Sequence, residues 1–147
     1  MIASARIALA AALVLLAGAT PGLAQEAADE EAAVRAAVQH YLIAHATGDG
    51  SHHEMVFHPE AKLFWMRDGA LNTRTSAEYI AGSSGQPADD EAQRRREITM
   101  VDVTGDAAVA KVVLDYPNAL FTDYMSLLKV DGEWRIVNKT FTVQPKN

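Results

Sequence analysis

VDVTGDAAVAKVVLDYPNALFTDYMSLLKVDGEWRIVNKTFTV, residues 101–143, is the stretch that decides the fold. The segments within it are rich in β-branched and aromatic residues, which is typical of strands joined by hairpins. Three turn-forming pairs interrupt it about thirteen residues apart: Gly105-Asp106, Pro117-Asn118 and Asp131-Gly132. The pattern predicts an antiparallel meander of long strands. We place these strands at residues 95–103, 107–116, 120–130 and 133–143.

Upstream of the meander the pattern is helical. Four residues recur at steps of four and three, so they share one face of a helix predicted over residues 26–47. They are Val34, Val38, Tyr41 and His45. Helices followed by a meander are typical of the α+β class. We predict that this long helix covers the concave face of a strongly curved sheet.

Two short helices and a hairpin lie between the long helix and the meander. Ser51 and Glu54 have the spacing of a capping box, which predicts a second helix with Ser51 as its N-cap. That helix must end before Pro59. Asp68-Gly69 predicts a hairpin turn, and a third short helix is predicted after it.

The first 24 residues have the layout of a secretory signal peptide. Arg6 supplies the positive charge, residues 7–17 are apolar, and small residues up to Ala24 suit cleavage there. The apolar run is shorter than the roughly 20 residues of a membrane span. We therefore predict a periplasmic or secreted protein without a membrane anchor, with a single domain over residues 25–147.

The charge and cysteine content exclude two other classes of protein. The formal net charge is −6, and removal of Arg6 with the signal peptide makes it −7. Binding to phosphates needs a basic surface, so no nucleic-acid partner is expected. The chain has no cysteine, so no disulfide can form even in an oxidising compartment.

Pairing outward from Asp131-Gly132 predicts which residues of the last hairpin share a face. With a two-residue turn, Leu127 pairs with Ile136 and Asp123 pairs with Thr140, unless a β-bulge exchanges the faces. Large apolar groups around a few polar ones are typical of a ligand pocket, and one face has this composition. It comprises Phe121, Asp123, Met125, Leu127, Trp134, Ile136, Asn138 and Thr140.

Asp123 is the titratable residue of that predicted pocket wall. Burial raises the pKa of a carboxyl group and suits it to act as a general base. A carboxylate that simply accepts hydrogen bonds from Thr140, Asn138 or a backbone N–H fits the same pattern. Both interpretations stay open from the sequence.

The opposite face of the hairpin is too apolar to lie in water. Mixed faces with aromatic residues and Arg are typical of subunit interfaces, so we predict a homodimer through this outer sheet face. The residues assigned to it are Thr122, Tyr124, Ser126, Leu128, Arg135, Val137, Lys139 and Phe141.

All five histidines lie between residues 40 and 58, but their spacing argues against a metal site. His40 and His45 are about 140° apart around a helix, so they cannot share a face, and no ligand-pair motif is present. His45 shares the core-facing stripe of the long helix, and His58 lies near the end of the second helix. For both, hydrogen bonding in the core and a catalytic role remain open. No Gly-rich phosphate loop is visible, and no cofactor is expected.

Four segments together carry a family resemblance: VQHYLIAHATGD, MVFHPEAKLFW, DVTGDAAVAKVVLDYP and FTDYMSLLKVDGEWRIVNKTF. Over residues 31–141 the chain resembles the nuclear transport factor 2-like superfamily. Within it, the chain is most similar to the group labelled putative lumazine-binding, near the polyketide-cyclase-like proteins. The resemblance implies a cystatin-like α+β cone around a deep apolar pocket, often dimeric through the sheet. Such folds include dehydratases, isomerases, cyclases and proteins without a known reaction.

Three functional hypotheses follow from the residues and the resemblance. The first is an exported protein that binds a small apolar or aromatic molecule in the cone. Its predicted ligand-binding residues are His58, Trp65, Phe121, Met125, Trp134 and Asn138. The second is a cofactor-independent lyase or isomerase, with Asp123 as general base and Tyr41 or His45 polarising the substrate oxygen. The third is a dimeric interaction scaffold.

Overall fold

The structure, a computed structural model, describes residues 21–147. The predicted signal peptide lies outside these residues except for its last four. A short 3-10 helix, Glu91–Gln93, precedes the third strand. The other elements are α1 (Pro21–Thr47), α2 (Gly50–Val56), β1 (Phe57–Arg67), β2 (Ala70–Thr75), α3 (Ser76–Ala81), β3 (Arg95–Thr104), β4 (Ala107–Tyr116), β5 (Ala119–Val130) and β6 (Glu133–Pro145).

The six strands form one sheet in the order β2-β1-β6-β5-β4-β3. The meander from β3 to β6 is antiparallel, as predicted. One pairing departs from the antiparallel pattern, because β1 runs parallel to β6. The intervening meander lets the chain return from β1 to β6 in the same direction. The α+β class with a long N-terminal helix on a curved sheet is confirmed.

Two of the hairpin turns show why the turn residues are informative. In both Asp68-Gly69 and Asp131-Gly132, the two residues have positive φ, with 52° at each Asp and 77° and 85° at the glycines. Positive φ at both central positions defines the type I′ turn that matches the twist of paired strands. The predicted two-residue hairpins at these positions are confirmed.

The core lies between one face of α1 and the concave face of the sheet. The side chains of Val34, Val38 and Tyr41 are fully buried, which agrees with the predicted helical stripe. They pack in one apolar cluster with inward-facing residues of the strands, such as Val112 and Ile136. Burial of this face stabilises α1, because most helix stability in proteins comes from tertiary packing.

The N-cap of the second helix lies two residues earlier than predicted. Its N-cap is Asp49, whose carboxylate accepts a hydrogen bond from the backbone N–H of Ser51 at 2.9 Å. The assignment of Ser51 as N-cap was therefore wrong, since Asp caps at least as well as Ser and comes first in the chain. The capping box occurs instead at α3, between Thr75 and Glu78.

A β-bulge in β6 changes the faces of the last hairpin. Leu127 pairs with Ile136 as predicted, but Ser126 pairs with Asn138, so Val137 has no partner across the strand pair. One extra residue reverses the in–out alternation beyond it. The predicted pairings of Met125 with Asn138 and of Asp123 with Thr140 were therefore wrong. Lys139 and Phe141 face inward, and Asn138 and Thr140 belong to the outer face.

Within residues 21–147, no helix is both long enough and apolar enough to cross a membrane.

Candidate functional site

Three polar side chains meet inside the core, and we call them the buried triad: Tyr41, Asp123 and Lys139. The Tyr41 hydroxyl donates to Asp123 Oδ2 at 2.5 Å. Lys139 Nζ donates to the Tyr41 hydroxyl oxygen at 2.6 Å and to Asp123 Oδ2 at 3.2 Å. The helical stripe of α1 brings Tyr41 over the sheet, while β5 and β6 bring the two charged residues together.

The register of the last hairpin explains how the two charges meet. Lys139 pairs with Met125 and Asp123 pairs with Phe141, so the two charged residues are diagonal neighbours on one face. Diagonal neighbours lie within reach of a long side chain. Without the bulge, Lys139 would point to the opposite face.

The buried triad is sealed from water. Tyr41 and Asp123 are 0% exposed and Lys139 is 4% exposed. Burial lowers the pKa of the Lys139 amine, and the Asp123 carboxylate opposes that shift only in part. Burial, together with the charge of Asp123, raises the pKa of Tyr41 well above its usual value. Among the described residues, Asp123 Oδ1 has no hydrogen-bond partner.

Aromatic rings surround the amine of Lys139. Its Nζ lies 4.6 Å from the ring centre of Phe141, 4.9 Å from that of Tyr41 and 5.2 Å from that of Tyr79. These distances suit cation–π attraction, which offsets part of the cost of burying the ammonium group. The amine is therefore held by one carboxylate and one hydroxyl, and three aromatic rings lie around it.

Two of these rings, those of Tyr79 and Phe141, also line a cleft of about 610 Å³. Trp65 of β1 and Phe141 of β6 are stacked, with ring centres 5.3 Å apart and planes at 26°. The guanidinium of Arg74 lies 5.8 Å from the centre of the Trp65 ring. We call this space the aromatic cleft. Its lining includes Leu63, Trp65, Arg74, Tyr79, Phe121 and Phe141.

A second group of polar side chains, centred on His45 of α1, connects this helix to α3 and β4. His45 Nε2 lies 2.8 Å from the Tyr79 hydroxyl and its Nδ1 lies 3.3 Å from the Tyr116 hydroxyl. Burial, and then the charge of Lys139, holds the pKa of His45 well below its usual value. The neutral ring therefore donates to one tyrosine and accepts from the other. Burial also raises the pKa of Tyr79.

His53 is buried next to the side chains of His45 and Tyr79. Both of its ring nitrogens lack a hydrogen-bond partner in the part of the chain that the structure describes. Its ring packs on Tyr79 and Tyr41, with centres 4.9 and 5.4 Å apart. Burial and the nearby Lys139 charge lower the pKa of His53 to about 4. It also lines a small polar cavity of about 210 Å³ between α1 and the loop after α3.

The structure brings two of the three predicted catalytic residues into direct contact. Asp123 and Tyr41 form the hydrogen bond of the buried triad. His45 is not hydrogen-bonded to either, but its ring contacts that of Tyr41, with centres 4.6 Å apart at 71°. The catalytic roles of all three stay predictions.

The predicted ligand-binding residues divide between several places. Trp65 and Phe121 line the aromatic cleft, whereas Met125 is buried in the core. Trp134 donates from Nε1 to Glu30 at 2.9 Å and lines a different groove, along α1.

Two further predicted ligand-binding residues do not line the aromatic cleft. Asn138 lies on the outer face because of the bulge at Val137, so its assignment to the pocket wall was wrong. The Nδ1 atom of His58 lies 3.2 Å from the backbone N–H of Glu60 and accepts from it.

Sequence reasoning missed Lys139, Phe141 and Tyr79. A signal for the first two exists in β6, where the apolar positions change phase. Trp134 and Ile136 are even-numbered, but Phe141 is odd-numbered, which is the pattern that a bulge between them produces. No comparable sequence signal identifies Tyr79, because only the packing of α3 turns its ring towards Lys139.

In residues 21–147, no group of three or more His, Asp or Glu side chains is arranged to hold a metal ion. The chemical groups that the buried triad brings together next to the aromatic cleft are an amine, a carboxylate and a phenol.

The comparisons with known proteins agree with this architecture. A family model described as putative lumazine-binding matches residues 29–142. A crystal structure of a nuclear transport factor 2-like protein of unknown function from Silicibacter pomeroyi is 27% identical. The similarity covers 80% of this chain and 98% of that one, with a TM-score of 0.70. A cystatin-like fold protein from Burkholderia xenovorans is 18% identical over 81% of this chain and 95% of its own, with a TM-score of 0.62.

One similar protein has a name that refers to an enzyme. It is aldolase FrzH from Cladobotryum sp, which is 23% identical over 114 residues. The match covers 78% of this chain and 91% of that protein.

Proposed function

We propose that this chain, which belongs to the putative lumazine-binding family of nuclear transport factor 2-like proteins, binds a planar aromatic or heterocyclic molecule in the aromatic cleft. The observation that carries the proposal is the stacked pair of Trp65 and Phe141 along a cleft of about 610 Å³. This volume lies in the range of small-molecule sites, which are concave and lined mainly by apolar and aromatic groups. A flat ring suits such walls, because aromatic pairs favour offset or edge contacts.

Charged side chains at the rim of the aromatic cleft favour ligands with an acidic or oxygen-rich edge. Arg67 and Arg74 contribute to the lining, and Asp68 is the acidic residue beside them. Guanidinium groups recognise carboxylate and phosphate oxygens through paired hydrogen bonds. The ligand is therefore a flat ring system with an acidic or oxygen-rich edge that faces Arg74.

Fluorescence of the two tryptophans tests ligand binding. Lumazine, riboflavin and benzoate are titrated against the Trp134→Phe variant, in which Trp65 is the remaining tryptophan. Binding in the cleft quenches or shifts the Trp65 signal, and Arg74→Gln weakens the acidic ligand. The matched Trp65→Phe variant keeps Trp134 in the other groove and shows no change. An unchanged Trp65 signal with all three probes contradicts the proposal.

A second candidate function is proton transfer on a carbonyl compound. It is favoured by the 2.5 Å contact between the Tyr41 hydroxyl and Asp123, and by the similarity to a protein named aldolase. In this role Asp123 takes a proton from carbon while Tyr41 or His45 polarises the carbonyl oxygen. Once an activity is found in a screen of aldol and retro-aldol substrates, Asp123→Asn lowers its rate by about 10²–10⁴-fold. An unchanged rate rules out this role for Asp123.

Self-association is proposed through the outer face of the sheet. Tyr124 and Leu128 of β5 are 48% and 43% exposed, and Val109 of β4 adds to the same apolar surface. Contiguous exposed apolar groups are typical of interaction sites, and a second copy of this chain is the occupant that we propose. Light scattering after size exclusion gives a dimer mass for the parent and a monomer mass for Leu128→Lys. A monomeric parent at high concentration rules out the dimer.

Export remains a proposal that rests on the first 24 residues. Arg6, the apolar run and Ala24 form the layout of a cleavable signal. Expression of the full chain in a Gram-negative host, followed by N-terminal sequencing of the periplasmic fraction, gives Gln25 as the first residue. Recovery of the uncleaved chain in the cytoplasm contradicts export.

A further inference from the structure

We propose that Lys139 is a carbonyl-reactive amine, which forms an imine with an aldehyde or ketone group of a molecule in the aromatic cleft. The inference rests on the proposed function, because it requires a ligand in that cleft. It adds a reacting group and a substrate class to the site. The arguments come from the position of the amine, its neighbours and the contrast with the other lysines.

The amine lies one ring away from the cleft. Phe141 and Tyr79 line the cleft, and Lys139 Nζ lies 4.6 and 5.2 Å from their ring centres on the inner side. A ligand that displaces one of these rings reaches the amine. We assign this movement to Tyr79, which is carried by the six-residue helix α3, hydrogen-bonded to His45 and packed on the rings of His53 and Phe57.

The neighbours of the amine supply the proton transfers that imine formation needs. Asp123 Oδ2 accepts from both Lys139 and Tyr41, while Asp123 Oδ1 has no partner within residues 21–147. The carboxylate can therefore take a proton from the ammonium group. The Tyr41 hydroxyl, 2.6 Å from Nζ, is placed to donate a hydrogen bond to the carbonyl oxygen as it develops charge, and Asp123 can then pass its proton to that oxygen.

The step balances without any oxidant or reductant. The ammonium group of Lys139 gives one proton to Asp123, and the neutral amine attacks the carbonyl carbon. A C–N bond forms, the C=O π bond breaks, and the carbonyl oxygen takes the proton that Asp123 has accepted. The nitrogen then gives a second proton to Asp123, which leaves a carbinolamine. Asp123 passes this proton to the hydroxyl group, the C–O bond breaks and water leaves. The net change is one ammonium group plus one carbonyl group to one protonated imine plus one water molecule.

The other lysines of the chain lack this environment. Lys62 and Lys146 are exposed, and Lys111 and Lys129 are only partly buried. Burial lowers the pKa of the Lys139 amine, so a larger fraction of it is neutral and nucleophilic near neutral pH. A buried lysine next to a general acid–base group is the arrangement that Schiff-base chemistry uses.

Reductive trapping tests the inference. The parent protein is incubated at pH 7 with benzaldehyde and sodium cyanoborohydride, and the modified lysine is located by peptide mass mapping. We expect one adduct per chain at Lys139, with Lys62 and Lys146 as internal controls. Lys139→Arg, which keeps the charge, loses the adduct. The peptide mass map of the parent protein shows whether Lys139 carries the adduct even if the Lys139→Arg variant does not fold.

A matched ligand separates failure of this inference from failure of ligand binding. Benzyl alcohol has the same ring without the carbonyl group, and Trp65 fluorescence reports its binding and that of benzaldehyde. Binding without an adduct at Lys139, or adducts only at Lys62 and Lys146, overturns the imine and leaves the binding site intact. No fluorescence change and no adduct overturn both proposals. Faster trapping in Tyr79→Phe, which frees the ring from His45, supports access past Tyr79.

Discussion

Two lysines on the inward face of the β5–β6 hairpin form ion pairs of very different character. Lys129 lies 2.5 Å from Glu30, with side chains 32% and 28% exposed. Lys139 lies farther from its partner Asp123, at 3.2 Å, but their side chains are only 5% and 0% exposed. The shorter contact is the weaker one, because water screens charges at the rim and not in the core. Burial rather than distance decides which pair governs stability and chemistry.

The largest expected effect comes from breaking the buried pair. Asp123→Ala leaves the Lys139 ammonium buried without its carboxylate, so the free energy of unfolding falls by about 3–5 kcal/mol. Urea denaturation measures the loss. Asp115→Ala is the matched control, because Asp115 forms an exposed pair with Lys146. Equal and small losses for both variants contradict the comparison.

His53, whose ring nitrogens have no hydrogen-bond partner among residues 21–147, extends the comparison to the pH dependence of stability. The pKa of His53 is about 4 in the folded protein and about 6.5 in the unfolded chain. Between these values the unfolded chain binds more protons than the folded protein. The contribution of neutral His53 to the free energy of unfolding is therefore complete above pH 6.5 and disappears as the pH falls towards 4. The loss is about 3 kcal/mol, and the low pKa of His45 adds to it in the same direction.

His53→Phe tests this dependence, since it keeps an aromatic ring among Tyr41, Phe57 and Tyr79. The midpoint of thermal unfolding becomes less sensitive to pH between 6.5 and 4 in the variant. Measurement at pH 8, where the parent imidazole is neutral, serves as the reference. A slope as steep as that of the parent assigns the pH dependence to other groups.

Replacing the whole buried triad is expected to change stability much less than breaking it. In the variant Tyr41→Phe, Asp123→Leu, Lys139→Met, all three polar groups of the triad are removed together, so none of them is left buried without its partners. Apolar replacement of buried charges is often neutral or stabilising, so the free energy of unfolding returns to within about 1 kcal/mol of the parent. The adduct with benzaldehyde disappears at the same time. A loss as large as that of Asp123→Ala means that the triad contributes net stability.

The smallest effect is expected at the rim. Lys129→Met removes a partly exposed pair, while Trp134 keeps its hydrogen bond to Glu30. Surface pairs are weak and screened by salt, so the small difference in unfolding midpoint between variant and parent shrinks as salt is raised. A difference that persists at high salt shows a packing role for the Lys129 stem instead.

Local sequence signals were sufficient for the family and the fold class, and both predictions are confirmed. The turn pairs have positive φ where the hairpins need it, and the stripe of α1 is buried as its period predicted. Such signals are reliable because turn geometry and amphipathic spacing depend on residues close together in the chain. The same stripe carried Tyr41 into the site.

A shift of one residue in the pairing of β5 with β6 determined which side chains face the buried site. Strict alternation placed Asn138 in the pocket and Lys139 outside, and the bulge at Val137 reversed both. The change of phase between Ile136 and Phe141 indicates a bulge, but its position is decided by how the side chains pack on neighbouring strands and on α1. That information is spread over the whole chain.

The sequence by itself determined the order of the elements, the turns of the meander and the inward direction of Tyr41 and Asp123. Each of these follows from short-range periodicity and turn chemistry. Only the tertiary structure decided that Lys139 joins them and that Tyr79 and Phe141 separate the amine from an open cleft. The physical reason is that a buried charge is tolerated only where partners from distant segments meet it, and their meeting is a property of packing.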